Sequence, residues 1–253
     1  MKLDGHAAIV TGGGSGLGSA TASLLAAGGC KVALLDINDT AAKAHAATIG
    51  GVGIRCDVSD AASAEAATAA ARDAHGPARI LVNCAGIGTA GRVVGRDGPM
   101  KLEAFDRVIR INLIGAFNMI RLAAADMVEL DPLEDGERGV IVNTASIAAY
   151  DGQVGQAAYA ASKGGIVGMT LPIARELSRA GVRVMTIAPG VFHTPMVDGL
   201  PPEVRQSLGD GVPFPRRLGM PEEYAALAHH IIGNRFLNGE VIRLDGALRM
   251  PPR

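Results

Sequence analysis

Along the chain, short runs that are apolar at nearly every position alternate with longer Ala-rich segments whose apolar residues recur at helical spacing. HAAIVT precedes SGLGSATASLLAAGG, KVALLD precedes DTAAKAHAATIG, GIRC precedes DAASAEAATAAARDAHG, and ARILVN leads into a longer loop and helix. The second half continues with GVIVNTAS, a helix over about 157–179, VRVMTIAP, an irregular stretch, a helix near 221–232 and EVIRLD. Seven strands alternating with helices, without repeat or linker, predict right-handed crossovers and a parallel sheet. The strands do not alternate apolar with polar, so helices are expected on both faces.

The expected fold is therefore α/β, a Rossmann-type doubly wound seven-stranded parallel sheet forming a single domain over residues 1–253. Three stretches lack periodicity. The segment at about 191–219 carries Pro195, Pro201, Pro202, Pro213 and Pro215 and follows the sixth strand at the carboxyl edge, where such sheets bind ligands. It is expected to be a substrate lid. Residues 88–100 and 129–138 read as surface loops, although the first leaves a strand end and equally well borders a site.

Composition narrows the function classes. With 48% hydrophobic residues, 19% charged and 34 glycines, the chain suits a dense domain with many tight turns and is not a disordered one. A formal net charge of −1, and no basic cluster interleaved with aromatics, argue against a nucleic-acid partner. Cys30, Cys56 and Cys84 form no CxxC, and His6, His45, His75, His229 and His230 have no ligand spacing, so no metal site is expected. The thiols fit small core residues in a reducing cytoplasm. No stretch approaches the roughly 18 apolar residues of a membrane span, and MKLDGHAAIVTGGG runs straight into a strand, so no membrane partner is expected.

The first candidate chemistry lies between the first strand and first helix, in TGGGSGLG at 11–18. There Gly12, Gly16 and Gly18 let backbone approach a pyrophosphate, and Ser15 and Leu17 open a helix whose N–H groups face it. Asp36 ends the second strand, eighteen residues after Gly18, where a carboxylate can accept from both adenosine ribose hydroxyls. Ile37, Asn38 and Asp39 supply no cation for a 2′-phosphate, so NAD is expected over NADP. Asp57 and Val58 after the third strand, and Asn83, Cys84, Ala85 and Gly86 after the fourth, stand at successive carboxyl ends of the same sheet.

The second is Ser146 followed, thirteen residues on, by Tyr159 and Lys163. Tyr159 and Lys163 are i and i+4 on one helical face. A phenol with a reference pKa near 10 is a poor base, and a neighbouring ammonium together with an oxidised nicotinamide is expected to lower it. Tyr159 would then take a hydroxyl proton as hydride leaves the carbinol carbon, with Ser146 orienting the substrate oxygen. Ser146 is not read as a nucleophile, since the chain has no G-x-S-x-G elbow and no His suited to serve as its base.

TGGGSGLG, NCAG, SIAAYDGQVGQAAYAASK and the Pro189-Gly190 pair after the sixth strand occur in the order found in the short-chain dehydrogenase/reductase family, which the chain resembles over essentially its whole length. The resemblance implies a fourth catalytic residue, Asn112, whose backbone anchors a water leading from Lys163 to solvent. It also implies cofactor contacts from Ser15, Leu17, Asp36, Asp57, Val58, Cys84, Tyr159, Lys163, Pro189, Phe192 and Thr194. Longer runs such as VPFPRRLG and FLNGEVIRLDGALRM narrow it to the 3-hydroxyacyl-CoA dehydrogenases of that family. This implies hydride exchange between NAD and the 3-carbon of a 3-hydroxyacyl-CoA. A hydroxysteroid or other secondary-alcohol dehydrogenase, a 3-oxoacyl carrier-protein reductase and a non-catalytic nucleotide sensor stand as alternatives. His193, where Gly is more usual, is either a substrate contact or an exposed loop residue. From Lys163 to Arg175 the helix carries no other charge and includes Gly164, Gly165 and Gly168, which predicts a symmetric partner subunit; the family implies a homotetramer. Pro172 predicts a local bend.

Overall fold

In a computed structural model describing residues 1–252, seven parallel strands form one sheet in the order β3-β2-β1-β4-β5-β6-β7. They are β1 (Ala7–Thr11), β2 (Lys31–Asp36), β3 (Val52–Arg55), β4 (Ile80–Asn83), β5 (Gly139–Thr144), β6 (Val182–Pro189) and β7 (Val241–Leu244). The sheet reverses direction of growth between β1 and β4, which opens a crevice at their carboxyl ends.

The continuous apolar runs are explained by the pleat. Ala8 and Val10, Val32 and Leu34, and Ile80 and Val82 face one core, shared with α1 (Gly16–Ala27), α2 (Asp39–Ile49) and the last helix. Ala7 and Ile9, Ala33 and Leu35, and Leu81 face the other, shared with α3 (Ala61–His75), α4 (Leu102–Val128) and α5 (Ala157–Leu177). Apart from exposed Lys31 and Arg55, the strand side chains thus lie between helix layers, and the polar ones inside are hydrogen-bonded. Thr11, Asn83, Asn143 and Thr186 lie in register across four strands at the carboxyl ends. Asn83 Nδ2 donates to Asn143 Oδ1 at 2.9 Å, and Thr186 shares a hydroxyl bond with Thr170 of α5 at 2.6 Å.

Several expectations need correction. Residues 88–100 are not plain loop: Val94–Gly95 and Gly98–Pro99 pair as a small antiparallel hairpin. The lid segment contains two short helices, α6 (Pro195–Asp198) and α7 (Pro202–Asp210), each opened by a proline at its first turn, which is why prolines there do not mean irregularity. Residues 129–138 are mostly exposed, yet Glu137 is buried and pairs with buried Arg183 at 2.8 Å. The helix expected after the fourth strand runs Leu102–Val128 and, against the expectation that no stretch approaches a membrane span, holds an 18-residue window that is apolar enough, with mean hydropathy 1.4, to cross a membrane by length and composition alone. Half of that window is buried against the protein's own core, and a π turn at Arg110–Ile114 interrupts its regular winding.

Helix α5 ends at Leu177 and passes into a 3-10 turn at Ser178–Ala180; it continues through Pro172, which sits on its exposed side. The last helix, α8 (Pro221–Gly233), packs on α1.

Candidate active site

Ligand space gathers at the crevice. A cavity of about 1000 Å³ runs along the carboxyl ends of the strands and reaches from Asp36 at one end to Tyr159 and the lid at the other. Gly12, Ser15, Gly16, Leu17 and Gly18 form its floor beside β1. Gly12 adopts φ +65, and a Cβ on Gly18 would lie 2.1 Å from the Gly12 oxygen, so this turn closes only with glycine at both positions. Ser15 precedes α1 in extended conformation and makes no side-chain cap, leaving the first helical N–H groups free for an anion.

Asp36 lies on the cavity wall, and its carboxylate accepts from Gly14 N at 3.0 Å and Asn38 N at 2.9 Å. One carboxylate therefore fixes both the glycine turn and the start of α2 while keeping lone pairs toward the cavity. Asp57 and Val58 line the next strand end; Asp57 Oδ1 accepts from the Ser59 amide and hydroxyl, and the Val58 carbonyl accepts from Asn118 Nδ2. Cys84, Ala85, Gly86, Pro189, Phe192 and Thr194 also reach the cavity. These groups fit a dinucleotide: a glycine cradle that a Cβ would fill, uncapped N–H groups, and a carboxylate where a ribose would lie.

Ser146, Tyr159 and Lys163 converge on the same cavity. Ser146 leaves β5 and caps a short 3-10 turn, its Oγ accepting from Ala148 N at 3.1 Å. Burial raises the Tyr159 phenol above its ordinary value of 10.0, and the nearby Ser146 hydroxyl partly offsets this. Burial also lowers Lys163 from 10.5 to about 8. The expected lowering of Tyr159 by Lys163 is therefore not found. The reason is geometric: Lys163 Nζ stands 5.8 Å from the phenol ring centroid and donates instead to the Thr144 carbonyl at 2.8 Å.

Two sequence-predicted residues sit behind the wall. Asn83 is buried, its amide donating to Asn143 and, at 3.5 Å, to the Ala116 carbonyl, and it contributes no cavity surface. Asn112 lies in the π turn; its Oδ1 accepts from Ile87 N at 2.8 Å, while Nδ2 donates to Ile87 O at 2.9 Å and Ser162 Oγ at 3.1 Å. Its side chain braces the strand-four loop against α5, one residue before Lys163. His193 is outside the wall and reaches Asp198 at 3.2 Å.

Sequence reasoning missed Thr144, Gln156, Met196, Leu200 and Met250, which all line the cavity. Thr144 and Gln156 flank recognised motifs, so their signal was adjacency. Met250 lies 104 positions from Ser146 and has no such signal.

This combination of fold and site recurs among known proteins. The family model for short chain dehydrogenase matches residues 6–205. The 3-hydroxyacyl-CoA dehydrogenase type-2 of Bos taurus is 53% identical over 255 residues, covering 99% of this chain and 98% of the bovine one. That of Drosophila melanogaster is 52% identical over 248 residues, covering 96% and 97%. The crystal structure of 3-hydroxyacyl-CoA dehydrogenase type-2 from Mycobacterium avium superimposes with a TM-score of 0.93 at 42% identity, over 100% of both chains. With its glycine cradle, doubly wound sheet and Ser-Tyr-Lys cluster in one crevice, the chain belongs to the short-chain dehydrogenase family and is an oxidoreductase that uses a nicotinamide cofactor.

Proposed function

We propose that this protein catalyses reversible hydride transfer between NAD and the 3-carbon of a 3-hydroxyacyl-CoA, giving the 3-oxoacyl-CoA in oxidation. The observation that carries this reading is the convergence of Ser146, Tyr159 and Lys163 on the cavity that also holds the glycine cradle and Asp36. Long, near-complete likeness to enzymes named for this reaction supports the substrate. Asp36 supports NAD, because a 2′-phosphate would meet its negative charge.

When bound, the cofactor supplies the hydride acceptor or donor. The chain's residues do the rest. Ser146 holds the substrate oxygen in line, and Tyr159 takes the hydroxyl proton in oxidation or returns it in reduction. Lys163, tied to Thr144, supplies positive charge beneath the phenol, and the Asn112 brace sets the loop and helix that carry these groups. The lid side chains Met196 and Leu200 add apolar surface to the cavity wall. Because that lining is apolar and adaptable, a hydroxysteroid or another apolar secondary alcohol is the second reading.

Exposed Ile114 and Phe117 on α4 and Leu171 on α5 favour burial against a second copy, and a homotetramer is the assembly we expect. Sedimentation equilibrium tests it, a monomer being the contrary result. Three free cysteines, two of them buried, accord with a reducing cytoplasm, which cell fractionation would check.

The deciding experiment follows NADH and NADPH oxidation with acetoacetyl-CoA, a carrier-protein thioester and a ketosteroid, with Tyr159→Phe as control. Turnover of acetoacetyl-CoA with NADH, lost in the control, is expected. A ketosteroid turned over while acetoacetyl-CoA is not would overturn the acyl-CoA reading.

A further inference from the structure

After β7 the chain turns back across the carboxyl edge of the sheet and is fastened there at several points. Arg243 donates to Asp245 at 2.7 Å, to Asp151 and to the Leu248 carbonyl at 3.1 Å. Arg249 also reaches Asp245 at 3.1 Å. Further along, the Pro251 carbonyl accepts from Gln153 Nε2 and the Pro252 carbonyl from Val154 N, each at 3.0 Å. Asp151, Gln153 and Val154 belong to the loop that joins Ser146 to Tyr159. The segment and the loop between the two catalytic groups are therefore one hydrogen-bonded unit.

This fastening decides where Met250 goes. Its half-buried side chain packs on a small apolar cluster of Ile147, Val212 and Leu248, and it also forms part of the cavity wall. Ile147 directly follows Ser146, so Met250 stands at the reactive end of the cavity, far from Asp36. Met196 and Leu200 of the lid line the same cavity. The space at that end is bounded by unbranched or flexible apolar side chains, suited to the chain that extends from a carbinol carbon. The lid is anchored to the body by buried Val212 and by the Phe214 amide on the Gly246 carbonyl at 3.3 Å, but its Met196 and Leu200 side chains are exposed, whereas half-buried Met250 is flanked by hydrogen-bonded backbone and by two prolines that fix φ. It is the firmer of the two boundaries.

We infer that Met250 is a specificity-determining residue, closing the acyl end of the substrate cavity and setting the length of chain the site accepts. The inference rests on the acyl-CoA reading for the identity of that chain, but not for the existence of the wall. A methionine there adapts to chains of different length by rotating its thioether. A rigid, larger residue would shorten the space and a smaller one would lengthen it.

The test uses the full chain with NADH and compares kcat/KM for acetoacetyl-CoA and 3-oxodecanoyl-CoA in the wild type, Met250→Trp, Met250→Ala and Met250→Leu. Met250→Trp is expected to lower the long-to-short ratio about tenfold or more, Met250→Ala to raise it, and Met250→Leu to hold it near the wild-type value. Thermal melting and NADH binding identify the variants that fold, and the conservative Leu variant and the Ala variant keep the question open to refutation if Trp does not fit. Ratios for folded Trp or Ala variants within about twofold of wild type would overturn the inference. If the wild type reduces neither thioester but does reduce ketones, the acyl-CoA reading has failed instead. The same variants are then compared on a small and a large ketone, and an unchanged size ratio there overturns the role of Met250 itself.

Discussion

Lys163 is tied to Thr144, its ammonium donating to the main-chain carbonyl at 2.8 Å, and this bond fixes the charge at the end of β5 and not on the phenol oxygen. Burial keeps Tyr159 protonated above its ordinary range and brings Lys163 down to about 8. Tyr150 and Tyr224 are raised as well, in both cases chiefly by burial. An ultraviolet titration of the protein without added cofactor is therefore expected to show no tyrosinate step with a midpoint below pH 10. A step near neutral pH that disappears in Tyr159→Phe would contradict this. Lys163 also sets a sign for stability. Its folded pKa is below the unfolded one, so between about 8 and 10.5 the unfolded chain binds more protons and this residue makes stability rise with pH. Lys163→Met should flatten that rise in denaturant unfolding measured across the window.

The sheet and most of its helices were legible because a two-residue pleat and a helical period leave direct marks in the pattern of apolar residues. The glycine turn, Asp36, Ser146, Tyr159 and Lys163 were legible because each is placed by local spacing along one element. What escaped depends on contacts distant in sequence. Glu137 looked like part of a surface loop because its partner, Arg183, lies far along the chain on β6. Asn83 looked like a cofactor contact because it ends a strand, but the in-register Asn143 beside it draws its amide inward. The direction of Lys163 was equally invisible, since i,i+4 spacing brings two residues together without fixing which acceptor the longer one chooses.

Asp36 has two duties that a substitution can separate. Its charge opposes a 2′-phosphate, while its oxygens accept the Gly14 and Asn38 amides. Asp36→Asn removes the charge and keeps one of the two acceptor oxygens, so it retains a bond to one of the two amides. The preference for NADH over NADPH, measured as the ratio of Kd values by fluorescence, is expected to fall about tenfold or more, each tenfold being about 1.4 kcal/mol. Asp36→Ala should in addition weaken NADH binding, because the glycine turn loses its support. An unchanged preference in both variants would remove Asp36 as the selector.

Arg183 is the most heavily committed buried cation. It pairs with Glu137 at 2.8 Å and donates to the carbonyls of Ile231, Ile232, Asn234 and Leu237, so it closes the carboxyl end of α8 as well. Arg183→Leu would leave buried Glu137 with only the Met1 ammonium, 3.0 Å from its Oε2, and would take a donor from the carbonyls of Ile231, Ile232, Asn234 and Leu237. The expected cost is about 3–5 kcal/mol, seen as a fall in Tm on the order of 10 °C. Glu137→Gln, which keeps a hydrogen-bond acceptor for the guanidinium, should cost less. Equal losses in the two variants would mean that the helix-end carbonyls contribute little.

Tyr224 reaches through the sheet to the other side of the Lys163 bond. Thr144 Oγ1 lies 2.6 Å from the Asn83 carbonyl, which can only accept, so its single hydrogen goes there. The Tyr224 hydroxyl, 2.7 Å away, must therefore donate to Thr144. Tyr224 is fully buried on α8, on the face opposite the catalytic helix, and it holds by its side chain the residue whose carbonyl holds Lys163. Tyr224→Phe removes only that hydroxyl. A stability loss of about 1 kcal/mol is expected from one internal hydrogen bond. If the bond also positions Thr144, kcat should fall while KM for the thioester stays near its wild-type value, and the pH at which kcat is half-maximal should shift because Lys163 is held less firmly. A stability loss with an unchanged pH profile would limit Tyr224 to packing, and Tyr224→Leu, which cannot restore the ring, would then show the larger loss of stability alone.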